Sequence, residues 1–263
     1  MSNRTHLDPK EVDTVEPHIP TPQTGREPPR PKIKRVYKSV SVGEESGDFR
    51  VLLDGKPVMT PMRKQLSTRS RSLADAIAAE WDAQDPHIEP ENMPLTRLES
   101  TRLDKVKPEP AQMIAALMSH VHADLLCYRA ADQPSLRQRQ DDTWQPILDW
   151  VGAMSGSDLI ASVGVMPKLQ SDDSISALTD ALDTLDDGRL TAVQATAAIT
   201  NSLALGLAMA HGQITSDEAF AAAMLDETFQ MENWGRDEIA VARQQRIGED
   251  LAAIGRYLKL LVT

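Results

Sequence analysis

Three side chains that could do chemistry, His120, Asp124 and Cys127, are spaced at i, i+4 and i+7, a row on one face of a helix. An imidazole, a carboxylate and a thiol are the parts of an activated nucleophile, but catalysis needs them to converge on a pocket from different elements. A row along one helix therefore predicts an inert, buried thiol instead. His120 and His122 are two residues apart, point in different directions on a helix and cannot share a metal. Carboxylates come in pairs at Glu89 with Glu91 and at Glu232 with Asp237, yet spacing alone does not set them across a scissile bond, and each pair reads as solvated surface. The stretch Asp183 to Gln194 has Gly188 where a calcium loop needs its glycine, but Leu185 takes a ligand position and Gln194 the bidentate glutamate position. Neither a Gly-x-x-x-x-Gly-Lys nor a Gly-x-Gly-x-x-Gly pattern is present, so no backbone cradle for a nucleotide phosphate is expected. The residues predict no cofactor and no metal.

The 263 residues carry 28 Lys plus Arg against 39 Asp plus Glu, a net charge of −11, with the basic residues scattered. Such a chain offers no electrostatic footprint for nucleic acid or for an anionic membrane. The single cysteine, Cys127, excludes an intrachain disulfide framework and a thiolate cluster, and fits a reducing compartment. Hydrophobic residues at 41% allow a sizeable core, while aromatics at only 4% and 11 Met favour helices packed through small and flexible side chains. The longest uncharged run, Leu190 to Ser216, is diluted by Gln194, Thr196, Thr200, Asn201 and Ser202, so it predicts buried core helix rather than a membrane span.

Residues 1–32 contain seven prolines and no apolar period, which predicts a disordered lead-in. Asp8, Glu11, Asp13, Glu16 and Glu27 are incompatible with a mitochondrial presequence, so a cytoplasmic, bacterial protein is expected. From Arg35 a period of two sets in. Val36, Val40 and Val42 share a face, Gly43–Gly47 reads as a turn, Phe49–Leu53 as the second strand, and Asp54-Gly55 as a tight turn into Lys56–Thr60, with a short strand near Leu66–Thr68. A helix opened by Ser72 with Asp75 should bury Leu73, Ile77 and Trp81 on this sheet. Helices are predicted from Leu95 to Val106, stopped by Pro108, and along Met113, Leu117, Val121, Leu125 and Tyr128. Strand signals then vanish. Asp186-Asp187-Gly188 reads as a turn, Thr191 with Gln194 and Thr215 with Glu218 as capping boxes, and the last helix should begin near Asp237 with a stripe of Ile247, Leu251, Ile254, Leu258 and Leu261. The expectation is an α+β protein: a lead-in over 1–32, an α+β domain with a twisted antiparallel sheet over 33–130, and a helical bundle over 131–263.

Several short signatures then fall in a specific order. Val51-Leu52-Leu53-Asp54-Gly55-Lys56-Pro57-Val58-Met59-Thr60-Pro61 is followed by Leu73-Ala74-Asp75-Ala76-Ile77-Ala78-Ala79-Glu80-Trp81, by Met93-Pro94-Leu95-Thr96, by Asp124-Leu125-Leu126-Cys127-Tyr128-Arg129, by Trp144-x-Pro146 with Trp150, and by Trp234-Gly235. From about Arg35 to its end the chain resembles the assembly chaperones that bind the alpha subunit of the F-type ATP synthase catalytic head, a family of mitochondria and alphaproteobacteria. The resemblance implies the two-domain α+β fold and a protein that is not an enzyme. It implies binding of the free alpha subunit, cover for the surface that later meets beta, and release by exchange without ATP. An orphan subunit exposes an apolar, obligate interface that self-associates unless covered. The family has a functionally important acid near the Trp-Gly pair, which matches Glu238 here, so Glu238, Asp237, Trp234 and Arg236 are the expected client-binding residues. The free protein is expected to be a monomer with no nucleotide, nucleic acid or membrane partner. Among the other motif residues, Asp54, Gly55 and Pro57 read as turn chemistry, Trp144 and Trp150 as bundle core, and Arg129 as the partner of Asp124 or Asp82. Two other classes stay open: a small hydrolase using carboxylates such as Glu80 or Glu238 in a cleft between the domains, and an adaptor for another oligomeric machine.

Overall fold

A computed structural model describes residues 33–261 except Val165, Pro167 and Arg236, so the lead-in expected over 1–32 lies outside the described residues. The chain opens with β1 (Ile33–Lys34), which pairs antiparallel with β6 (His87–Ile88). The central sheet is built by β2 (Val40–Glu45), β3 (Asp48–Leu53), β4 (Lys56–Pro57) and β5 (Ser67–Thr68), all antiparallel, with β3 in the middle. Both of its tight turns have two consecutive positive φ angles, 57° and 83° at Ser46-Gly47, 47° and 78° at Asp54-Gly55. That is the twist a two-residue hairpin demands. The first turn is thus confined to Ser46-Gly47, because β2 continues through Gly43 to Glu45. Asp54 also accepts hydrogen bonds from the Lys38 and Ser39 amides at 3.1 and 2.9 Å. Val36, expected on the buried face, precedes the strand and is 85% exposed.

Helix α1 (Arg71–Asp82) lies on the sheet through Leu73 and Ile77, both buried, with Trp81 packed at the edge of the same cluster. Its cap is Ser70, not Ser72: the chain leaves β5 directly into the helix, and the Ser70 hydroxyl accepts from the Leu73 amide at 3.1 Å. Helix α2 (Pro94–Thr101) starts on proline at its first position, where the missing N–H costs nothing. It relaxes into one wider π-turn, Arg102–Val106, before Pro108.

Helix α3 (Pro110–Met118) is shorter than its apolar period predicts. Two 3₁₀ turns, Val121–Ala123 and Leu125–Cys127, replace the expected continuation. The cause is Asp124, whose buried carboxylate accepts from the Leu126 amide, the Ser202 hydroxyl and the Ala204 amide at 3.0, 2.8 and 3.0 Å. These tertiary bonds outcompete the helical ones. A parallel pair, β7 (Tyr128–Arg129) with β8 (Ser162–Val163), places a strand beyond Pro134 after all, two residues being too short to show a period.

The remainder is helical: α4 (Pro134–Ser155), α5 (Asp172–Asp183), α6 (Asp187–Thr200), α7 (Leu203–Ala210), α8 (Ser216–Ala223), α9 (Leu225–Trp234) and α10 (Glu238–Leu261). Asp186 is the cap of α6 rather than part of a free turn, and the box expected at Thr191 and Gln194 does not form because Thr191 is fully buried inside that helix. The Thr215–Glu218 box does form. The uncharged run folds as α6 and α7, which bury Val193, Leu205 and Leu207, and no described helix is long and apolar enough to cross a membrane.

Two apolar clusters result, one under the sheet around Val51, Leu66, Leu73 and Leu95, the other among the helices around Trp144, Leu178, Leu182 and Leu205. Helix α10 serves both: Leu251 and Ile254 enter the helical cluster, and Tyr257 enters the sheet cluster. Beside Tyr257 sits Glu99, fully inaccessible, which accepts from the Tyr257 hydroxyl at 2.9 Å and from Arg102 at 2.7 Å.

Candidate functional site

The expected site residues gather where α9 hands over to α10. Helix α9 is fixed first by its inner face. Phe229 is buried, and the Arg139 guanidinium of α4 lies 5.2 Å over its ring while bonding Glu232 at 2.7 Å. One turn earlier, Gln140 donates to Asp226 at 2.7 Å, and the Trp144 indole donates to the Ala222 carbonyl at 2.9 Å. Burial pushes the Asp226 carboxyl above its usual range, with the Gln140 bond opposing that shift.

With the inner face occupied, Trp234 at the end of α9 faces water and is 69% exposed. Gly235 follows at φ 97°, a conformation that side chains avoid, and turns the chain towards α10. Asp237 then acts as a cap, its carboxylate 3.3 Å from the Ile239 amide. Glu238 is the first residue of α10, where the helix dipole favours an acid. Ile239 is 80% exposed and Val241 41% exposed in the same turn. The start of α10 is tied to α9 by the Arg243–Glu227 ion pair. Trp234, Asp237 and Glu238 therefore occupy one helix–helix junction, and Glu238 has no partner among the described residues; Arg236 lies outside them. Sequence reasoning missed Ile239 and Val241. The signal was there, two branched apolar residues in the first turn of a helix whose core stripe starts only at Ile247.

Among the described residues this junction presents an exposed indole, two branched aliphatics and two exposed carboxylates, an arrangement that can bind. The other candidates are structural. Glu80 is held between the Leu95 amide, the Thr96 amide and the Thr96 hydroxyl at 2.7, 2.8 and 2.7 Å, so it caps α2, and burial raises its pKa against those bonds. Cys127 is buried and its thiol is pushed up to about 12, chiefly by that burial. His120, Asp124 and Cys127 do not share a helical face, since no helix passes through them. Arg129 bonds Asp141 at 2.7 Å, not Asp124 or Asp82, because β7 aims it at α4, where it also lies 5.3 Å over the Trp144 ring. Trp144 is core, and Trp150 packs on the same cluster against His211 at 5.6 Å. A cleft of ≈ 580 Å³ between α3 and α6 is lined by Met113, Leu117, Ala198 and Leu203 with one titratable group, His120. No three potential ligands converge on a metal position among the described residues.

Comparison with known proteins gives concordant results. The family model of the ATP12 chaperone protein matches residues 34–152. The mitochondrial protein atp12 of Schizosaccharomyces pombe is 23% identical over 224 residues, 81% of this chain and 77% of the relative. The crystal structure of Atp12 from Paracoccus denitrificans is 35% identical, with a TM-score of 0.79 over 87% of this chain and 98% of that one. The Atu1473 protein of Agrobacterium tumefaciens is 38% identical, with a TM-score of 0.80 over 87% and 86% of the two chains.

Proposed function

The chain belongs to the ATP12 chaperone family, and from that premise we propose that it is an ATP synthase assembly chaperone whose client is the free alpha subunit of the F-type catalytic head. It covers the face that alpha later turns to beta and hands alpha over during assembly. The observation that carries this reading is the α9–α10 junction, where Trp234 and Ile239 are held out in water beside Asp237 and Glu238. Tryptophan is one of the residue types enriched among the anchors of protein interfaces. Next to Trp234, the Glu238 carboxylate, with no partner among the described residues, suits an Arg or Lys of the client in a charge-assisted hydrogen bond. Aggregation of orphan alpha comes from its apolar interface, so a partner that occupies this interface suppresses aggregation without energy input. Beta competes for the same surface, so exchange releases the chaperone without ATP. The protein works as a monomer, in the cytoplasm of a bacterium.

Light scattering of isolated alpha subunit, warmed with and without this protein, tests the reading. Scattering is expected to fall to the level of the chaperone alone at equimolar ratio, and to recover in part with Trp234→Ala. Unchanged scattering at molar excess refutes it.

A further inference from the structure

A second surface is built with equal care and the opposite charge. Residues 55–74 contain Lys56, Arg63, Lys64, Arg69 and Arg71 and no acid, in a chain of net charge −11. The connection from β4 to β5 lies in this stretch. Its ends, Val58 and Leu66, are buried in the sheet cluster. Between them the Thr60 amide donates to the Lys64 carbonyl at 2.7 Å and the Arg63 amide to the Thr60 carbonyl at 2.8 Å. Asp104, buried in the π-turn after α2, accepts from the Thr60 hydroxyl at 2.6 Å and from the Met62 amide at 3.0 Å, and Lys64 Nζ donates to the Leu103 carbonyl at 2.7 Å. A buried carboxylate is thus committed to fixing a loop tip. What the tip holds out is Met62, 64% exposed, Met59, 49% exposed, and Arg63 at φ 61°. Arg63 makes no ion pair or side-chain hydrogen bond among the described residues.

We propose that Met59, Met62 and Arg63 form a second client-contact surface, which seats on an acidic stretch of the alpha subunit carrying an apolar side chain. The inference rests on the alpha-subunit reading above. Charge complementarity selects the occupant: a tip whose Arg63 has no ion pair among the described residues, on a protein of net charge −11, attracts acid and is repelled by basic surface. Methionine suits such a contact because its flexible, polarizable side chain adapts to irregular apolar surface. The α9–α10 junction, with Asp237 and Glu238, asks for the reverse complement. Two contacts of opposite sign fix the orientation of a client that a single ridge would leave free to pivot.

The test measures the affinity of the full-length chain for isolated alpha subunit at low and high salt, for wild type, the double variant Met62→Ser with Arg63→Glu, and Arg63→Lys. All substituted side chains are exposed and outside the Asp104 bonds, so circular dichroism and the thermal midpoint should be unchanged. The double variant is expected to bind about tenfold more weakly with a shallower salt dependence, and Arg63→Lys to stay within about twofold of wild type. A double variant that binds as wild type does, while wild type forms the complex, overturns this inference and leaves the alpha-subunit reading standing. Failure of wild type to bind alpha removes both. Two other outcomes also overturn it: loss of self-association by the double variant without loss of alpha affinity assigns the tip to a second copy, and loss of sedimentation with phosphatidylglycerol vesicles assigns it to a lipid surface.

Discussion

Helix α10 is the last element of the chain, yet it is fastened to an early one, and the buried part of that fastening includes the polar contact between Tyr257 and Glu99. The perturbation that isolates it is Tyr257→Phe, alone and combined with Glu99→Leu. In the native protein the Tyr257 hydroxyl lies 2.9 Å from a Glu99 oxygen that Arg102 Nε also reaches at 3.0 Å, and both Glu99 and Tyr257 are 0% exposed. Burial, and then the Glu99 charge, push the Tyr257 pKa well up, so its hydroxyl keeps its proton and donates. Removing a hydrogen bond to a charged group costs about 1.5–3 kcal/mol. Glu99→Leu takes the carboxylate from Arg102, whose remaining contacts are the Ser67 carbonyl at 3.2 Å and Asp187 at 3.6 Å. Breaking a buried pair in this way costs about 3–5 kcal/mol. In that background the Tyr257 hydroxyl has no acceptor, so Tyr257→Phe should cost nothing or stabilise slightly. The coupling between the two sites is therefore about 2 kcal/mol or more. Urea unfolding followed by far-ultraviolet circular dichroism on the four proteins measures it. If Tyr257→Phe costs the same in both backgrounds, within about 0.5 kcal/mol, the contact does not hold α10 and the reasoning is wrong.

Other consequences concern single groups. Native Cys127 should resist iodoacetamide at mildly alkaline pH, with a thiol pKa near 12, and react fully once the chain is unfolded in urea; rapid native alkylation would contradict its placement. Glu218 has its pKa lowered by the Thr215 amide and hydroxyl. A lowered folded value means stability that is present above the unfolded carboxylate pKa and is lost as pH falls through the folded one. Glu218→Gln should accordingly lower stability at neutral pH and flatten the acid limb of a stability–pH profile, and an identical acid limb would count against the box. Trp234 should supply most of the iodide-quenchable tryptophan emission, since Trp144 is buried, Trp81 and Trp150 are half-buried, and Trp234 is 69% exposed. Trp234→Phe should leave a blue-shifted spectrum that iodide quenches less steeply than wild type, whereas unchanged quenching would mean that the indole is covered.

The sheet was legible because its turns write their dihedral requirements into residue types: Asp54-Gly55 could hardly be anything else. The Thr215–Glu218 box was legible for the same local reason. Misreadings came where a distant group decided. The period from Met113 to Tyr128 is truly helical, but Asp124 has partners near Ser202, far along the chain, and those partners end the helix. Arg129 was assigned a carboxylate in its own part of the chain, whereas the short β7 strand points it at Asp141. At the α9–α10 junction, resemblance directed attention to Glu238 and its neighbours, while the exposure of Trp234, Ile239 and Val241 follows only once Phe229 is seen to take the inner face. The basic residues around Met62 read as scattered charge in the sequence, because what fixes them as one tip is Asp104 from another element.

The proposed function requires a specific complex with the free alpha subunit through the α9–α10 junction. Size-exclusion chromatography of the two proteins mixed at equal concentration, with Glu238→Lys run alongside, tests it most directly. A one-to-one complex is expected for wild type, and for Glu238→Lys, still folded by circular dichroism, separate elution of the two proteins. Separate elution of wild type and alpha, or a complex that Glu238→Lys leaves intact, would contradict it.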